Sequence, residues 1–275
     1  MNGLDPAQLV LLAGALVAAG VIAGFAGGLF GIGGGVVIVP VLFHALGALG
    51  YGEERMHLAV ATSLATIIVT SVQSVRAHAS KGAVDFAVLR AWTPWIVLGA
   101  ALGGLAAAFL SGQMLSAVFG VLALAVAANM ALGSEQWRLA SDLPAGARRA
   151  ATAGSIGFLS ALMGIGGGAF GVTVMTLCGR PIHQAVGTAA GFGAAIGVPA
   201  VIGYMIGGWG HAGLPPLSLG YVNIPGFIAI GLLTSLMAPV GARAAHRLDK
   251  RRLKQLFAVF LALTACQMLY EAIFA

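Results

Sequence analysis

Charge is what this chain has least of. Only 8% of its 275 residues are Asp, Glu, Lys or Arg, against 59% hydrophobic, whereas a soluble domain carries about a quarter charged residues. So few polar side chains cannot cover a water-soluble surface of this size. The charges are also missing in blocks: none lies between Asp5 and Glu53, between Arg90 and Glu135, between Arg149 and Arg180, or between Arg180 and Arg243. Cysteine is nearly absent as well. Cys178 and Cys266 sit in apolar runs, which excludes a disulfide framework and a cysteine metal site. No Asp or Glu lies deep in an apolar run, Asp85 and Glu271 being close to segment ends, so the sequence offers no intramembrane carboxylate for ion coupling. Catalytic patterns are missing too. There is no H-E-x-x-H, and the nearest approach to an intramembrane G-x-S-G nucleophile, Ser111 in "FLSG", lacks the first glycine. We expect no enzyme and no cofactor.

What is there is apolar sequence in long pieces. Runs of about 18 apolar residues or more read as membrane-spanning helices, and the mean hydropathy is +0.98. Ten apolar segments can be placed, at 8–30, 36–49, 57–76, 91–110, 114–133, 150–163, 168–179, 183–207, 219–242 and 253–274. The N-terminus has no basic n-region, so 8–30 reads as an uncleaved first helix. With the N-terminus outside and the segments alternating, Arg55 alone of the fourteen Lys and Arg falls outside. This positive-inside asymmetry predicts both termini on the outer face. It also accounts for the basic balance without nucleic acid. Aromatic residues at segment ends (Trp92, Trp95, Trp137, Trp209 and Tyr221) suit an interfacial belt.

The chain also writes one glycine-rich phrase twice. "GFAGGLFGIGGG" (24–35) and "GFLSALMGIGGG" (157–168) stand 133 residues apart. "HLAVAT" (57–62) likewise matches "HQAVGT" (183–188), and Gly103, Leu110, Leu115 and Phe119 match Gly241, Leu248, Leu253 and Phe257. Each half holds five apolar segments, and an odd number enters the membrane from opposite sides the second time. The expected fold is an all-α polytopic membrane protein with two inverted repeats. These are 1–133 and 150–275, joined by a cytoplasmic linker at 134–149, with eight to ten membrane segments, some short or re-entrant. Secondary transporters are built this way.

Short glycine-broken segments at matching places in inverted halves point to a transporter's binding site. A helix N-terminus offers free N–H groups and a partial positive charge, and glycine lets a ligand come close to the backbone. The candidate substrate-binding residues are therefore Gly31, Gly33, Gly34 and Gly35 in the first half and Gly164, Gly166, Gly167 and Gly168 in the second. Polar residues of the third segment (Thr62, Ser63, Thr66 and Gln73) and the repeat mate Thr188 are candidates to line the cavity. His57 and His183 are candidate gating or proton-sensing groups. Pro199, in a glycine-rich stretch, predicts a bent or broken helix. The scattered small-xxx-small pairs, such as Gly99/Gly103 and Gly203/Gly207, read as helix packing.

On these residues the chain resembles the TauE/SafE family of sulfite exporters, whose halves each carry a G-x-G-G-G module. The resemblance runs from about residue 9 to 274. The second copy, "GIGGGAFGVT", lacks the proline that Pro40 supplies in "GIGGGVVIVP". The resemblance implies a bacterial inner-membrane permease for a small sulfur-containing anion such as sulfite or an organosulfonate. The expected partners are that anion, the lipid bilayer and a second copy of the chain. The expected function is secondary transport by alternating access, with a passive anion channel on the same scaffold as the alternative.

Overall fold

The computed structural model describes residues 6–31, 33–133, 138–244 and 250–274. Ile32 of the first glycine motif, Trp137 and His246 lie outside the described residues. Among the described residues, ten helices occupy the ten apolar segments: α1 (Pro6–Phe30), α2 (Gly35–Ala48), α3 (Arg55–Ala79), α4 (Phe86–Ala107), α5 (Gly112–Leu132), α6 (Gly146–Met163), α7 (Gly168–Leu177), α8 (Ile182–Gly207), α9 (Ile224–Ala244) and α10 (Lys250–Phe274). A short hairpin, β1 (Ser218–Leu219) and β2 (Val222–Asn223), leads into α9. Among the described residues, six helices are long and apolar enough to cross a membrane: α3, α4, α5, α8, α9 and the Phe257–Phe274 part of α10. The protein is an all-α polytopic membrane protein. α2 and α7, of 14 and 10 residues, reach about 21 and 15 Å at 1.5 Å per residue, short of a hydrocarbon core of about 30 Å.

Helix pairings come in matched sets. α1 packs on α9 as α6 packs on α4; α3 packs on α9 as α8 packs on α4; α2 lies on α3 as α7 lies on α8. α3 with α8, and α5 with α10, close the arrangement. The contacts repeat in detail. Gly24 abuts Thr234 and Gly241 abuts Phe25 where α1 meets α9; Gly157 abuts Ile96 and Gly103 abuts Phe158 where α6 meets α4. Each pair of glycines lets two backbones touch, which is how helices associate when lipid gives no hydrophobic drive.

Local chemistry sets several ends that hydropathy missed. α4 begins at Phe86 rather than residue 91, because the Asp85 carboxylate accepts from the N–H groups of Ala87 (3.1 Å) and Val88 (3.0 Å). α9 begins at Ile224 because the Asn223 side chain accepts from Gly226 N–H at 2.9 Å. Pro199 does not break α8, which runs unbroken from Ile182 to Gly207. Nor are all the expected belt aromatics at the surface. Trp95 and Trp209 are exposed, but Trp92 is buried and stacks on Phe192, and Tyr221 is buried under His57.

Candidate functional site

Both triple-glycine stretches are chain breaks. α1 ends at Phe30 and α2 opens at Gly35, capped by Gly34 with φ +80°; α6 ends at Met163 and α7 opens at Gly168, capped by Gly167 with φ +71°. An L side chain in that left-handed region costs about 1–2 kcal/mol, so the glycines are conformational as well as small. Neither cap supplies a side-chain acceptor for the N–H groups that open its helix. Those groups carry the positive end of the helix dipole.

The two breaks meet. A methyl group on Gly33 would stand 3.3 Å from Gly166 Cα, and one on Gly35 would collide with the Gly164 carbonyl oxygen. The Ser63 hydroxyl donates to that same carbonyl at 2.8 Å, tying α3 to the second break. Ile67, the middle residue of α3, lies against both junctions: its Cγ2 would be 3.2 Å from a Gly33 methyl and 2.9 Å from a Gly166 methyl. Its repeat mate is Gly193, the space beside which Ile67 fills at 3.2 Å. The breaks that open α2 and α7 thus lie side by side at mid-height of α3, with Ile67 against both. Nothing ionisable is in this contact set.

The other candidates divide. Gly31 lies against the Val186 carbonyl of α8, Gly34 against the Ala23 carbonyl of its own half, and Gly167 against Ile196. Thr66 is buried one turn from Ser63 and donates to its carbonyl at 2.7 Å. Gln73 is half-buried, nearly two turns beyond Ile67. Thr62 and Thr188 are not together. Thr62 accepts from Asn223 N–H at 3.0 Å and Thr188 from Asp85 N–H at 2.8 Å, so each steadies the start of a long helix, α9 or α4, at opposite ends of the bundle. His57 is buried and His183 exposed.

Sequence reasoning missed Ile67, the Thr234 partner of Thr70, and the assembly of a cavity at the Tyr221 end. Ile67 was legible in principle, since the repeat sets it opposite Gly193. The buried Thr70 and Thr234 hydroxyls, 2.9 Å apart, join α3 to α9. At the Tyr221 end of the bundle a cavity of about 470 Å³ is lined by Glu54, Arg55, His57, His211, Tyr221 and Glu271 among others. These residues come from separate loops and helices, and no single stretch of sequence announces them.

Similarity to known proteins follows the same outline. The profile of the family described as "Sulfite exporter TauE/SafE" matches residues 16–268, enclosing both glycine breaks. The chain belongs to the TauE/SafE family. Among the relatives of this chain, a protein of Haemophilus influenzae named "Probable membrane transporter protein" is 34% identical over 261 residues, covering 94% of this chain and 97% of that one. Proteins with names of the same kind from Methanocaldococcus jannaschii and Bacillus subtilis are 26% and 27% identical and cover 95% and 94% of this chain, and 97% and 98% of their own. No solved structure matches. This TauE/SafE chain is a multi-pass membrane transporter.

Proposed function

We propose that the protein is a secondary transporter of a small sulfur-containing anion, of the sulfite or organosulfonate kind, working by alternating access. The observation that carries this reading is the convergence of the α2 and α7 N-termini beside Ile67. Two helix starts without side-chain caps at one junction offer positive potential without a cation, which suits a dispersed negative charge such as an oxyanion. The relatives' names support transport, and the family description supports a sulfur oxyanion.

Rocking of one body against another is supported by the matched helix pairings, which give two like bodies, α1, α2 and α3 with α9 and α6, α7 and α8 with α4, each taking one helix from the other half and meeting along α3 and α8. The two halves, 1–133 and 150–275, are then inverted repeats, and both termini lie outside the bacterial inner membrane. On this topology the Tyr221 cavity faces out. With Gly33 packed this closely on Gly166, the anion gains room at the junction when the two bodies part.

Uptake of labelled sulfite, sulfate, taurine and sulfoacetate into proteoliposomes tests the reading. Saturable flux with counterflow of labelled substrate is expected. Flux that never saturates and shows no counterflow would overturn alternating access in favour of a channel; no flux of any sulfur anion would overturn the substrate class.

A further inference from the structure

The buried face of His57 fixes where its protons are. Its Nε2 lies 3.1 Å from the Ala107 carbonyl oxygen and 3.1 Å from that of Leu110. Both partners accept only, so Nε2 carries hydrogen. The other nitrogen, Nδ1, is buried without a hydrogen-bond partner, and so is Oε2 of Glu54, which stands 3.6 Å away. In a neutral imidazole with hydrogen on Nε2, Nδ1 presents a lone pair. An ionised carboxylate presents lone pairs as well. Two acceptors facing each other in a low-dielectric pocket repel, and one proton between them satisfies both.

We infer that Glu54 and His57 together bind one proton and that this proton is the coupling ion of the transport cycle. The inference rests on the transporter reading above and supplies its driving ion. No bond other than N–H or O–H changes. The proton comes from water in the cavity, rests on Nδ1 or Oε2, and returns to water when the pair separates. Access has a direction: the Glu54 side chain is 28% exposed and that of His57 5%, so Glu54 is the wet partner and His57 the dry one.

The surrounding charges are few and mostly occupied. His211 Nε2, from the α8–α9 connection, is 3.7 Å from the other Glu54 oxygen. Burial, and then Glu54 itself, raise the Tyr221 phenol well above the ordinary tyrosine range, so it stays neutral. Arg55 is held by Glu271 of α10 at 3.0 Å, and His44 of α2 faces Glu271 at 3.9 Å. Glu53 lines the same cavity, and the α4–α5 turn and the start of α5 add no ionisable group to it, only Ser111, Gln113 and their neighbours.

The pair is also mechanically placed. The His57 ring joins three elements: α3 which bears it, the end of α4 and its following turn through the Ala107 and Leu110 carbonyls, and the hairpin through Tyr221, whose ring stacks on it at 4.7 Å. With the proton bound, Glu54 holds the fourth element, the α2–α3 loop, against this junction. Without it the lone pairs push that loop away and the mouth opens. Protonation thus biases a two-state closure.

The test uses full-length protein in lipid nanodiscs and proteoliposomes, with Glu54→Gln and, separately, His57→Gln. Between mildly acid and mildly alkaline pH, wild type should release about one proton more than either variant. With sulfoacetate, whose sulfonate and carboxylate stay ionised near neutrality, a substrate gradient should move protons across wild-type vesicles. In Glu54→Gln it should move none, while counterflow of labelled sulfoacetate persists and shows the variant is folded. Equal proton release by wild type and both variants overturns the proton site whatever transport does. Sulfoacetate flux in wild type without proton movement overturns its coupling role. Missing release in the variants, with no sulfoacetate flux in wild type, upholds the proton site and removes sulfoacetate from the transport reading.

Discussion

The protein keeps its two polar regions chemically apart. At mid-height, Gly33, Gly35, Gly164 and Gly166 press backbone on backbone around Ile67, and none of these groups titrates. At the Tyr221 end, Glu54, His57, His211, Arg55 and Glu271 surround a cavity of about 470 Å³. The difference is one of dielectric. A formal charge at the middle of a bilayer costs at least about 2.5–3.5 kcal/mol, so a resident side-chain charge is expensive there, while uncapped helix ends offer positive potential from groups that are present anyway. Ionisable side chains are affordable only where water reaches them. The proposed anion site at the centre and the proposed proton site at the mouth are therefore each of a kind the bilayer permits, and each prediction below sets one region against the other.

The largest effect belongs to the centre. Gly35→Val drives a branched side chain into the Gly164 carbonyl oxygen, which is backbone and cannot step aside. Uptake should fall to background. Gly33→Ala adds a left-handed alanine, costing about 1–2 kcal/mol, together with contacts of 3.2 and 3.3 Å, and should lower uptake at least tenfold. Gly50→Ala is the control: φ is +86° there too, but the added methyl meets nothing within 4 Å. It carries the strain without the junction. If Gly50→Ala and Gly33→Ala lose uptake equally, backbone strain explains both and the junction has no special standing.

Ile67→Ala is next. Removing a fully buried isoleucine destabilises by about 2–5 kcal/mol, seen as an earlier thermal transition in detergent. It also empties the space between the helix ends. Substrate leak without counterflow should appear in this variant, because the wedge that keeps the middle shut is gone. A variant as tight as wild type would show that the wedge is packing only.

These two central predictions also mark how far the sequence could be read. The ten helices and both breaks were legible because hydropathy and the doubled G-I-G-G-G depend on local residue types alone. That the breaks touch was foreseeable from the repeat. That Ile67 lies between them was marked only by its asymmetry against Gly193, because an isoleucine in a membrane helix carries no signal by itself. The cavity at the Tyr221 end was illegible for a different reason. Glu54 sits before α3, His211 and Tyr221 in a long connection, and Glu271 near the chain's end, so tertiary packing alone assembles them. Trp92 and Tyr221 were misread as belt residues because position along a segment says nothing about which face of the helix or hairpin they occupy.

A smaller pair of effects compares the halves. Thr62→Val and Thr188→Val each remove one acceptor and leave the Asn223 or Asp85 N–H without its partner, costing about 1–3 kcal/mol apiece. Because each threonine steadies the start of one long helix, the two losses of stability should be similar, measured by thermal unfolding in the same detergent. A large inequality would mean that the halves share a sequence pattern without sharing its mechanics.

The smallest effect is at the rim. Arg55 Nη2 donates to Glu271 Oε2 at 3.0 Å, and the guanidinium lies 4.1 Å from the Phe43 ring centroid. Both side chains of the pair are about a quarter exposed, so water and salt weaken the attraction. Arg55→Lys keeps the charge but loses the planar fork and the stacking, which should cost about 0.5–1 kcal/mol. The cost should shrink as salt is raised from low to physiological ionic strength. Transport by this variant should stay close to wild type, with its proton movement unchanged, because Arg55 serves the α10 contact rather than the Glu54–His57 pair. If Arg55→Lys instead uncouples protons from substrate, then the charge network extends to Glu271, and the proton site is larger than two residues.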